Sequence, residues 1–478
     1  MNWNQFIFSS ENLDIEHMNK VATIRNRHLY LGQFTRYSFV EQGGNEFHLL
    51  GDLFSWKEPK KDNFLLLSDL SCSRDLSELI QKANSFCGEF ILISRFGDEI
   101  QVLNDASALR EVYYTDDFQH LASQVKLLEK VTRLEKHKDA DALGFFELKK
   151  FVEQKIFVGD HTHRKNVLHL RPNHLLHLDQ ARSERFFPKH LRKQVPTSAV
   201  APKCVTMIQG YLKAASLRAE LEMGVTGGYD SRLLFLASLG LDCRYFVRKQ
   251  PKMAPDHWEM SIPKRLTRHY NQPFVIEHAE EDDCAEADVL ERYLHDLDFP
   301  RPLETMRKNE GRFGINGNVS EVARNHYEYH SNVTANDLSC LIGHSIHPFS
   351  VKMCSQWIQE LEASGTFGYH LLDLFYWEER IGNWCAKKKT ETLSTNKRGA
   401  TPFNSRELLQ LMLSTPRKDR DKHASLLYDT MLVILSNSDK AVLSLPINPS
   451  FKMRCIRLLK KIGIFQWYRF LALKTRII

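Results

Sequence analysis

The pattern of apolar and polar positions changes near residue 190 of this 478-residue chain. Before that point, short β-rich runs such as EFHLLGDLFSW, EFILISRFG and EVYYTDD are separated by Gly or Asp turns, which is typical of antiparallel strands. Beyond it, longer stretches such as VTMIQGYLKAASLRAEL carry apolar residues at helical spacing. The pattern predicts a β-rich first part and a second part in which helices and strands alternate.

The second part opens with a strand–helix–strand unit. EMGV is predicted to be a short strand, SRLLFLASLG a helix that stops at Gly240, and LDCRYFV a second strand. This order predicts a parallel sheet with right-handed crossovers. Pro196 and Pro202 bracket a polar stretch of small residues that indicates a linker. We therefore divide the chain into a domain at 1–190, a linker at 191–200, a domain at 201–450 and a tail at 451–478.

The charge distribution singles out the tail. The formal net charge is +6, yet residues 451–478 carry eight Lys or Arg side chains and no acid, so the rest of the chain is slightly acidic. Because the tail also contains aromatic residues, it suits an anionic membrane surface. A terminal helix that packs its aromatics on the domain and solvates its lysines has the same composition. This charge balance does not by itself indicate a nucleic-acid partner, and we expect none.

The cysteines and the apolar runs indicate the compartment. Nine cysteines are present, and no two form a Cys-x-x-Cys pair, so neither a zinc ribbon nor a complete disulfide framework fits. No apolar run approaches the ~18–20 residues that span a bilayer, and the N-terminus has no basic-then-apolar leader. We expect a cytoplasmic protein with reduced thiols, soluble or peripheral to a membrane.

The stretch MGVTGGYDSRLL places two glycines, an acid and two hydroxyls between the predicted strand and helix. Glycines tolerate positive φ and let the backbone approach a ligand, while a helix N-terminus directs N–H groups toward it. Thr226 and Ser231 add hydroxyl donors, and Asp230 suits a phosphate site only if a divalent cation bridges it to the phosphate. The turn suggests a magnesium–nucleotide site, although it is neither of the common glycine-rich motifs. An ordinary turn with an N-capping Asp or Ser explains the same residues.

TGGYDS resembles the pyrophosphate-loop signature Ser-Gly-Gly-x-Asp-Ser of the asparagine synthetase superfamily. The later segments APDHWEMSIPKRLTRHYNQPFVIEH, GINGNVSEVARNHYEY and TPFNSRELLQLMLSTPRKDRDKHASLL follow the order of that family. The resemblance implies an α+β N-terminal amidotransferase-like β-sandwich domain, followed by an α/β parallel-sheet pyrophosphate-loop synthetase domain.

The resemblance also implies site residues and cofactors, namely ATP and Mg²⁺. Asp230 and Glu321 are expected to hold magnesium, and Lys422 is the expected catalytic lysine, with Lys418 as its rival. Glu321 is expected to act in catalysis as well. Asn318 stands where the family has an acid, so the second half of the metal site is altered. The nucleotide-binding positions are Val225, Thr226, Gly227, Gly228, Tyr229, Asp230, Ser231 and Gly317.

In the first half, LLGDLFSW, CGEFILISRFG and NDASALREVYYTDD resemble the class II glutamine amidotransferase domain of the same family. That domain uses an N-terminal cysteine as its nucleophile, and an Asn-Gly-Glu motif supplies oxyanion donors. This sequence begins Met1-Asn2-Trp3, and Leu50-Gly51-Asp52 occupies the position of the motif. We expect a retained scaffold without glutaminase activity.

The function implied by the resemblance is that of a carbon–nitrogen ligase. It is an ATP-dependent, AMP-forming amide-bond synthetase that adenylates a small-molecule, sugar-acid or peptide carboxylate and transfers it to ammonia or an amine. β-Lactam synthetase and lasso-peptide cyclases are similar in lacking the cysteine. A non-catalytic nucleotide-binding or scaffold homologue is the alternative, and a homodimer is compatible with either.

Several other residues admit two interpretations each. Arg232 follows the turn and either contacts phosphate or lies on the surface. His257 and Trp258 either line the nucleotide pocket or pack as ordinary side chains. The histidines between 161 and 178 are expected to be hydrogen-bonded or exposed rather than metal ligands. The acidic segment 277–288 is expected to be a solvated loop.

Overall fold

A computed structural model of the chain describes residues 4–148, 151, 156–251, 253–254, 256–278, 311–328, 332–386, 398–465 and 467–468. Most of the acidic segment 277–288 and the last ten residues of the tail lie outside these ranges.

The first half folds into two antiparallel sheets that face each other. One has the order β10-β8-β9-β1-β3-β2 and the other β12-β11-β7-β6-β5-β4. The alternation of side chains along each strand produces this packing. Leu50 faces the opposite sheet, whereas its neighbour Leu49 faces the helices and the second domain. The strands are β1 Phe6–Ser9, β2 Met18–Ile24, β3 Arg27–Gly32, β4 Tyr37–Gln42, β5 Asn45–Ser55, β6 Phe86–Phe96, β7 Glu99–Asn104, β8 Tyr113–Thr115, β9 His120–Ala122, β10 Val167–His169, β11 His174–His177 and β12 Arg182–Arg185.

The second half contains a five-stranded sheet with the order β15-β14-β13-β16-β17, in which every neighbouring pair is parallel. The predictions of antiparallel strands first and a parallel sheet afterwards are both confirmed. The chain starts in the central strand, builds outward on one side, and then crosses to the other side. The strands are β13 Leu221–Gly224, β14 Cys243–Lys249, β15 Phe274–His278, β16 Phe313–Ile315 and β17 Arg398–Ala400.

Helices cover the sheets and fill the C-terminal part of the chain. Those of the first half are α1 Asn63–Ser71, α2 Leu76–Ala83, α3 Val125–Leu128 and α4 Ala140–Glu147. Those of the second half are α5 Thr197–Ser216, α6 Tyr229–Ala237, α7 Trp258–His269, α8 Ala335–Ile342, α9 Pro348–Ser364, α10 Leu371–Phe375, α11 Arg406–Leu413, α12 Leu426–Leu435, α13 Lys440–Leu443 and α14 Phe451–Lys461. A π-helix spans Tyr376–Cys385, and 3₁₀ turns span Asn318–Ala323 and Arg417–Arg420.

The predicted linker differs from the observed structure at its C-terminal end. Helix α5 begins at Thr197 and includes Pro202, so part of the stretch 191–200 is helical. Pro202 is exposed, and the carbonyl that its missing N–H leaves unpaired can therefore bond to water. Val200 and Cys204 on the opposite face are fully buried, and their burial favours the helix across the proline.

A single apolar core runs from the second antiparallel sheet into the parallel sheet. Helix α5 lies against the end of β5, and a Cβ on Gly210 would lie only 2.6 Å from the carbonyl oxygen of Trp56. Polar contacts reinforce the junction. Arg398 of β17 donates to both carboxylate oxygens of Asp52, at 3.0 and 3.3 Å, and its guanidinium lies 3.7 Å from the ring centre of Phe313. The two halves are therefore packed as one body at this face.

Helices long and apolar enough to cross a bilayer are absent from the described part of the chain.

We predict that Arg398→Met lowers the free energy of unfolding by about 3–5 kcal/mol, because it leaves the buried carboxylate of Asp52 without its closest cation. Denaturant unfolding measures the loss. Arg74→Met is the control, since Arg74 is exposed just before α2, where it pairs with Glu78, and its substitution should leave the unfolding midpoint nearly unchanged. Equal effects of the two substitutions would contradict this account of the junction.

Candidate functional site

The candidate site lies where the direction of strand addition reverses in the parallel sheet. Strand β13 lies between β14 and β16. After β13 the chain adds β14 and β15 on one side of it, and then β16 and β17 on the other side. In parallel sheets, ligands bind in the crevice at the carboxyl ends of the strands at such a point. The turn after β13 and the loop after β16 meet at this point, and we call the place where they meet the crevice.

The turn between β13 and α6 is held closed by its own hydroxyls. The Ser231 hydroxyl lies 2.8 Å from the Thr226 hydroxyl, and it also accepts from the Thr226 backbone N–H at 3.0 Å. The Thr226 hydroxyl accepts from the Gly228 N–H at 3.4 Å. The structure thus brings Thr226, Gly228 and Ser231 together, and their contact with a ligand stays a prediction.

The glycines of this turn are needed for close approach rather than for positive φ. Gly228 has φ of −82°, and Gly227 also lies outside the left-handed region. A Cβ on Gly227 would lie 2.8 Å from two ring atoms of Trp258, so the indole packs directly on the backbone. The backbone of Asn448 closes the other side by donating to the Gly227 carbonyl at 3.1 Å.

Asp230 sits in the first turn of α6 and points at the second loop. A Cβ on Gly317 would lie 2.6 Å from the Cβ of Asp230, so only glycine permits this approach. Ser320 donates to Asp230 Oδ1 at 2.6 Å. Arg324 Nη1 donates to both oxygens, at 3.2 and 3.0 Å. Burial raises the pKa of Asp230, and the charge of Arg324 opposes that rise.

Glu321 lies in the 3₁₀ turn of the second loop. Tyr376, the first residue of the π-helix, donates its hydroxyl to Glu321 Oε2 at 2.5 Å, and His326 Nδ1 lies 3.5 Å from the same oxygen. Although burial raises the pKa of Glu321, contacts with His326 and Tyr376 and the charge of Arg324 hold it well below its usual range. Glu321 is close enough for its charge to raise the pKa of Asp230.

Lys422 belongs to the same cluster, whereas Lys418 does not. The Nζ of Lys422 lies 3.3 Å from the carbonyl oxygen of His326 and 3.5 Å from its Nε2. Arg324 Nη2 donates to the carbonyl of Lys422 at 2.8 Å. Lys418 is exposed in the preceding 3₁₀ turn. Of the two lysines, Lys422 is the one whose ammonium lies beside His326, which in turn contacts Glu321.

The residues present do not fit a magnesium ion as they are arranged. Both oxygens of Asp230 accept from Arg324, and the Oε2 of Glu321 is taken by Tyr376. Magnesium requires open oxygen ligands in octahedral geometry. No group of three or more His, Cys, Asp or Glu side chains suited to a metal occurs in the described residues.

Arg232 has a structural role that neither sequence interpretation predicted. It is buried, and its guanidinium donates to the carbonyls of Leu445 and Pro446, at 2.7 and 2.9 Å. This ties the segment that carries Asn448 to α6. His257 caps α7 by accepting from the Glu259 N–H. His174 and His177 are buried and bond to Glu360 and Glu184, as expected of non-metal histidines.

Sequence reasoning missed Arg324, Ser320, His326 and Tyr376. Arg324 lies three residues after Glu321, a spacing that places two side chains on one face of a helical turn, and this signal was available. Tyr376 lies 55 residues from Glu321 and gave no signal. The ring of His326 stacks on Tyr376 at 4.2 Å between centroids. Arg324 lies between the rings of Tyr229 and Tyr428, 5.4 Å from each centroid.

The second domain covers the position that resembles a glutaminase site. A Cβ on Gly399 of β17 would lie 2.0 Å from a carboxylate oxygen of Glu89, so β17 presses against β6. Asn404 donates to the Gly88 carbonyl at 2.6 Å and to Asp105 Oδ1 at 2.8 Å. Leu50, at the position where the resemblance predicts an oxyanion-donating Asn, is fully buried between the two antiparallel sheets.

Comparisons with known proteins give only distant similarities. No protein-family profile matches the sequence, and no curated protein matches it. An allosteric regulatory enzyme of purine biosynthesis is similar at 10% identity, with 58% of this chain and 75% of that chain covered and a TM-score of 0.25. An ADP-bound glutamine-dependent NAD⁺ synthetase from Acinetobacter baumannii is similar at 11% identity, covering 42% of this chain and 47% of that chain, with a TM-score of 0.19.

A glutamine phosphoribosylpyrophosphate amidotransferase from B. subtilis, complexed with ADP and GMP, is similar at 10% identity. The similarity covers 68% of this chain and 72% of that chain, with a TM-score of 0.21. The similar structures thus include an amidotransferase and a synthetase. Scores this low support no conclusion about this chain.

We predict that stability falls with acidity because of His326. Burial lowers the pKa of His326 to about 4, against about 6.5 in an unfolded chain, so the unfolded state takes up a proton first. The stability that neutral His326 contributes is fully present above about pH 6.5. It is lost as the pH falls toward 4, and the free energy of unfolding falls by at most about 3 kcal/mol. Urea unfolding across this range should show a shallower loss for His326→Gln than for the parent chain. The exposed His190→Gln should leave the slope unchanged, and a parent-like slope in His326→Gln would contradict the assignment.

Proposed function

We propose that this chain is an ATP-dependent, AMP-forming amide-bond synthetase of the asparagine synthetase superfamily, and that it lacks its own glutaminase activity. The observation that carries the proposal is the glycine turn at the reversal point of the parallel sheet, with Lys422 and Arg324 beside it. A phosphate chain is the ligand class that such a turn and a helix N-terminus recognise together.

In the proposed reaction, the backbone N–H groups of the turn bind the departing pyrophosphate. The substrate carboxylate attacks the α-phosphorus of ATP, a new P–O bond forms, and the bond to pyrophosphate breaks. Lys422 offsets the negative charge that grows as this bond breaks. Ammonia or an amine then attacks the acyl carbon, loses a proton, and releases AMP as the amide forms. A sugar-acid or peptide carboxylate is compatible with this scheme.

The proposed loss of glutaminase activity rests on the covered face of the first domain. Asp52, which occupies the position of the family's Glu, is bound by Arg398 from β17. Arg36 and Arg218 lie within 4.0 Å of the same carboxylate. A carboxylate bound in this way holds the second domain rather than a glutamine substrate. The nitrogen is then free ammonia or ammonia from a partner, an amine on the same substrate, or an amine on a second substrate.

A second candidate function is non-catalytic nucleotide binding. The pairing of Asp230 with Arg324 favours it, because an acid that is already neutralised offers no open ligand for the metal that adenylation chemistry commonly uses. Pyrophosphate release distinguishes the two candidates, since only a synthetase produces it when ATP and a carboxylate are supplied.

We predict that the chain releases pyrophosphate from ATP when the correct carboxylate is present in a panel of amino, sugar and peptide acids. Lys422→Met should lower this rate by about 10²–10³-fold and leave ADP binding within a few-fold, because the lysine acts on charge that develops during the reaction. Lys418→Met is the matched control, four residues earlier and exposed, and should keep parental activity. Nucleotide binding without pyrophosphate release from any acid in the panel would favour the non-catalytic candidate. Equal losses in the two lysine variants would contradict the role of Lys422.

A further inference from the structure

We propose that Arg324 is the resident cation of the phosphate site, and that this chain binds nucleotide phosphates without a divalent metal ion. The proposal rests on the proposed function insofar as the ligand is a nucleotide. It concerns the same crevice and assigns a charge-neutralising role to a residue that the family resemblance does not mark.

The guanidinium of Arg324 lies where three segments of the chain meet. Arg324 bonds to both oxygens of Asp230 through Nη1, and to the carbonyl of Lys422 through Nη2. It therefore joins three segments that meet at the crevice: the turn after β13, the loop after β16 and the segment before α12. A metal ion bridging two acids would make the same kind of connection.

The positive charge of Arg324 is permanent, and its position is fixed. Arginine does not lose its proton in proteins. The side chain is buried between the rings of Tyr229 and Tyr428, and Tyr428 itself donates to the carbonyl of Ser320 at 2.9 Å. Aromatic faces stabilise a guanidinium in this position. Releasing Arg324 to admit a metal would leave a buried charge between two rings without its carboxylate.

The pairing of Asp230 with Arg324 changes the charge that a phosphate meets at the turn. Asp230 alone would repel a polyphosphate at the turn. Paired with Arg324 it contributes no net charge, so the N–H groups of the turn and the ammonium of Lys422 set the local potential. Arg324 acts through Asp230 and is a positioning residue rather than a catalytic one.

The test measures ADP binding to the full chain by calorimetry, once with EDTA and once with millimolar MgCl₂. We expect equal affinities for the parent chain in the two buffers. Arg324→Gln should bind at least tenfold more weakly in EDTA, and magnesium should restore its affinity because Asp230 is now open to the ion. Adding Asp230→Asn to Arg324→Gln should restore metal-independent binding, an effect that loss of folding would not produce.

Arg312→Gln is the matched control. Arg312 pairs with Glu220 at 2.6 Å in the same sheet, but it precedes β16 and so lies at the opposite ends of the strands. This variant should bind ADP as the parent does in either buffer. If the parent binds ADP only with magnesium and Asp230→Asn abolishes that binding, the proposal is overturned.

A second readout separates this proposal from the proposed function. Mn²⁺ titration followed by electron paramagnetic resonance, without nucleotide, should find no Asp230-dependent site in the parent and one in Arg324→Gln. If ADP does not bind under any condition, the proposed function fails, and the Mn²⁺ result still decides the role of Arg324. A manganese site in the parent that Asp230→Asn removes would overturn the role of Arg324.

A different part of the chain carries a second proposal, which does not depend on the first. Helix α14 and the residues after it present an exposed apolar surface, which we call the C-terminal face: Leu458, Ile462, Ile464, Trp467 and Tyr468, each 45–67% exposed. The inner side of the same segment is anchored. Lys460 bonds to Glu328 and Asp421, and Phe465 is buried beneath it.

We infer that the C-terminal face lies on an anionic bilayer. Residues 451–478 contain eight basic side chains and no acid, so the segment that carries the apolar face has a positive net charge. Exposed Trp and Tyr beside Lys and Arg is the composition that binds the headgroup region of anionic membranes. Lys452 and Lys461 are exposed on the helix itself and can contact headgroups there.

Co-sedimentation with vesicles tests this inference. The full chain should bind vesicles of 30% phosphatidylglycerol in phosphatidylcholine, and bind at least tenfold more weakly to phosphatidylcholine alone. Ile462→Ser with Trp467→Ser should remove most of the binding, whereas Phe64→Ser, an equally exposed side chain on α1, should not. Absence of binding to the anionic vesicles overturns the inference. So does an unchanged affinity in the double variant, or sedimentation that reflects self-association without vesicles.

Discussion

The ion pair between Asp230 and Arg324 organises the crevice at the carboxyl ends of the parallel strands. It connects the turn after β13 to the loop after β16, and through the Lys422 carbonyl it connects both to the segment before α12. A buried carboxylate and a buried guanidinium are each costly alone, so the pair fixes the relative positions of these segments. The same pair makes the site differ from a magnesium-binding crevice.

The first domain supports this crevice from a distance. The π-helix begins with Tyr376, which bonds to Glu321, and continues with Glu378 and Glu379, which bond to Arg185 and Arg171 of the first domain. π-Helical turns are frequently found at functional sites because they displace side chains from ordinary helical positions. Here the π-helix joins the crevice to the antiparallel sheets. The antiparallel sheets of the first domain thus hold the helix whose first residue bonds to Glu321.

Much of the fold could be predicted from local patterns. The strands predicted at EFHLLGDLFSW, EFILISRFG and EVYYTDD and the strand–helix–strand unit follow from periodicity and turn residues, and the structure has strands at these places. Strands β1 to β4 were not predicted individually. The meeting of Asp230 with Gly317 was expected only from the resemblance, because 87 positions separate them and periodicity does not report such contacts. The linker was misplaced because burial of Val200 and Cys204 outweighs the local effect of Pro202.

The charges of the site were the least predictable part. An acid beside glycines indicated a metal, since nothing in TGGYDS reveals that an arginine 94 positions later occupies the same carboxylate. Arg232 was misjudged for a related reason: a charged residue after a turn usually faces solvent, and its buried carbonyl partners lie more than 200 positions away. Long-range pairing of buried charges is a tertiary property, and a single sequence carries little trace of it.

The most direct measurement is a crystal structure of the full chain with a non-hydrolysable ATP analogue and manganese, with anomalous diffraction to locate the metal. We predict phosphate oxygens on the backbone of the turn between Thr226 and Ser231, Arg324 still bound to Asp230, and no anomalous peak between Asp230 and Glu321. A manganese ion on both acids with Arg324 displaced, or a nucleotide bound away from this crevice, would contradict the account.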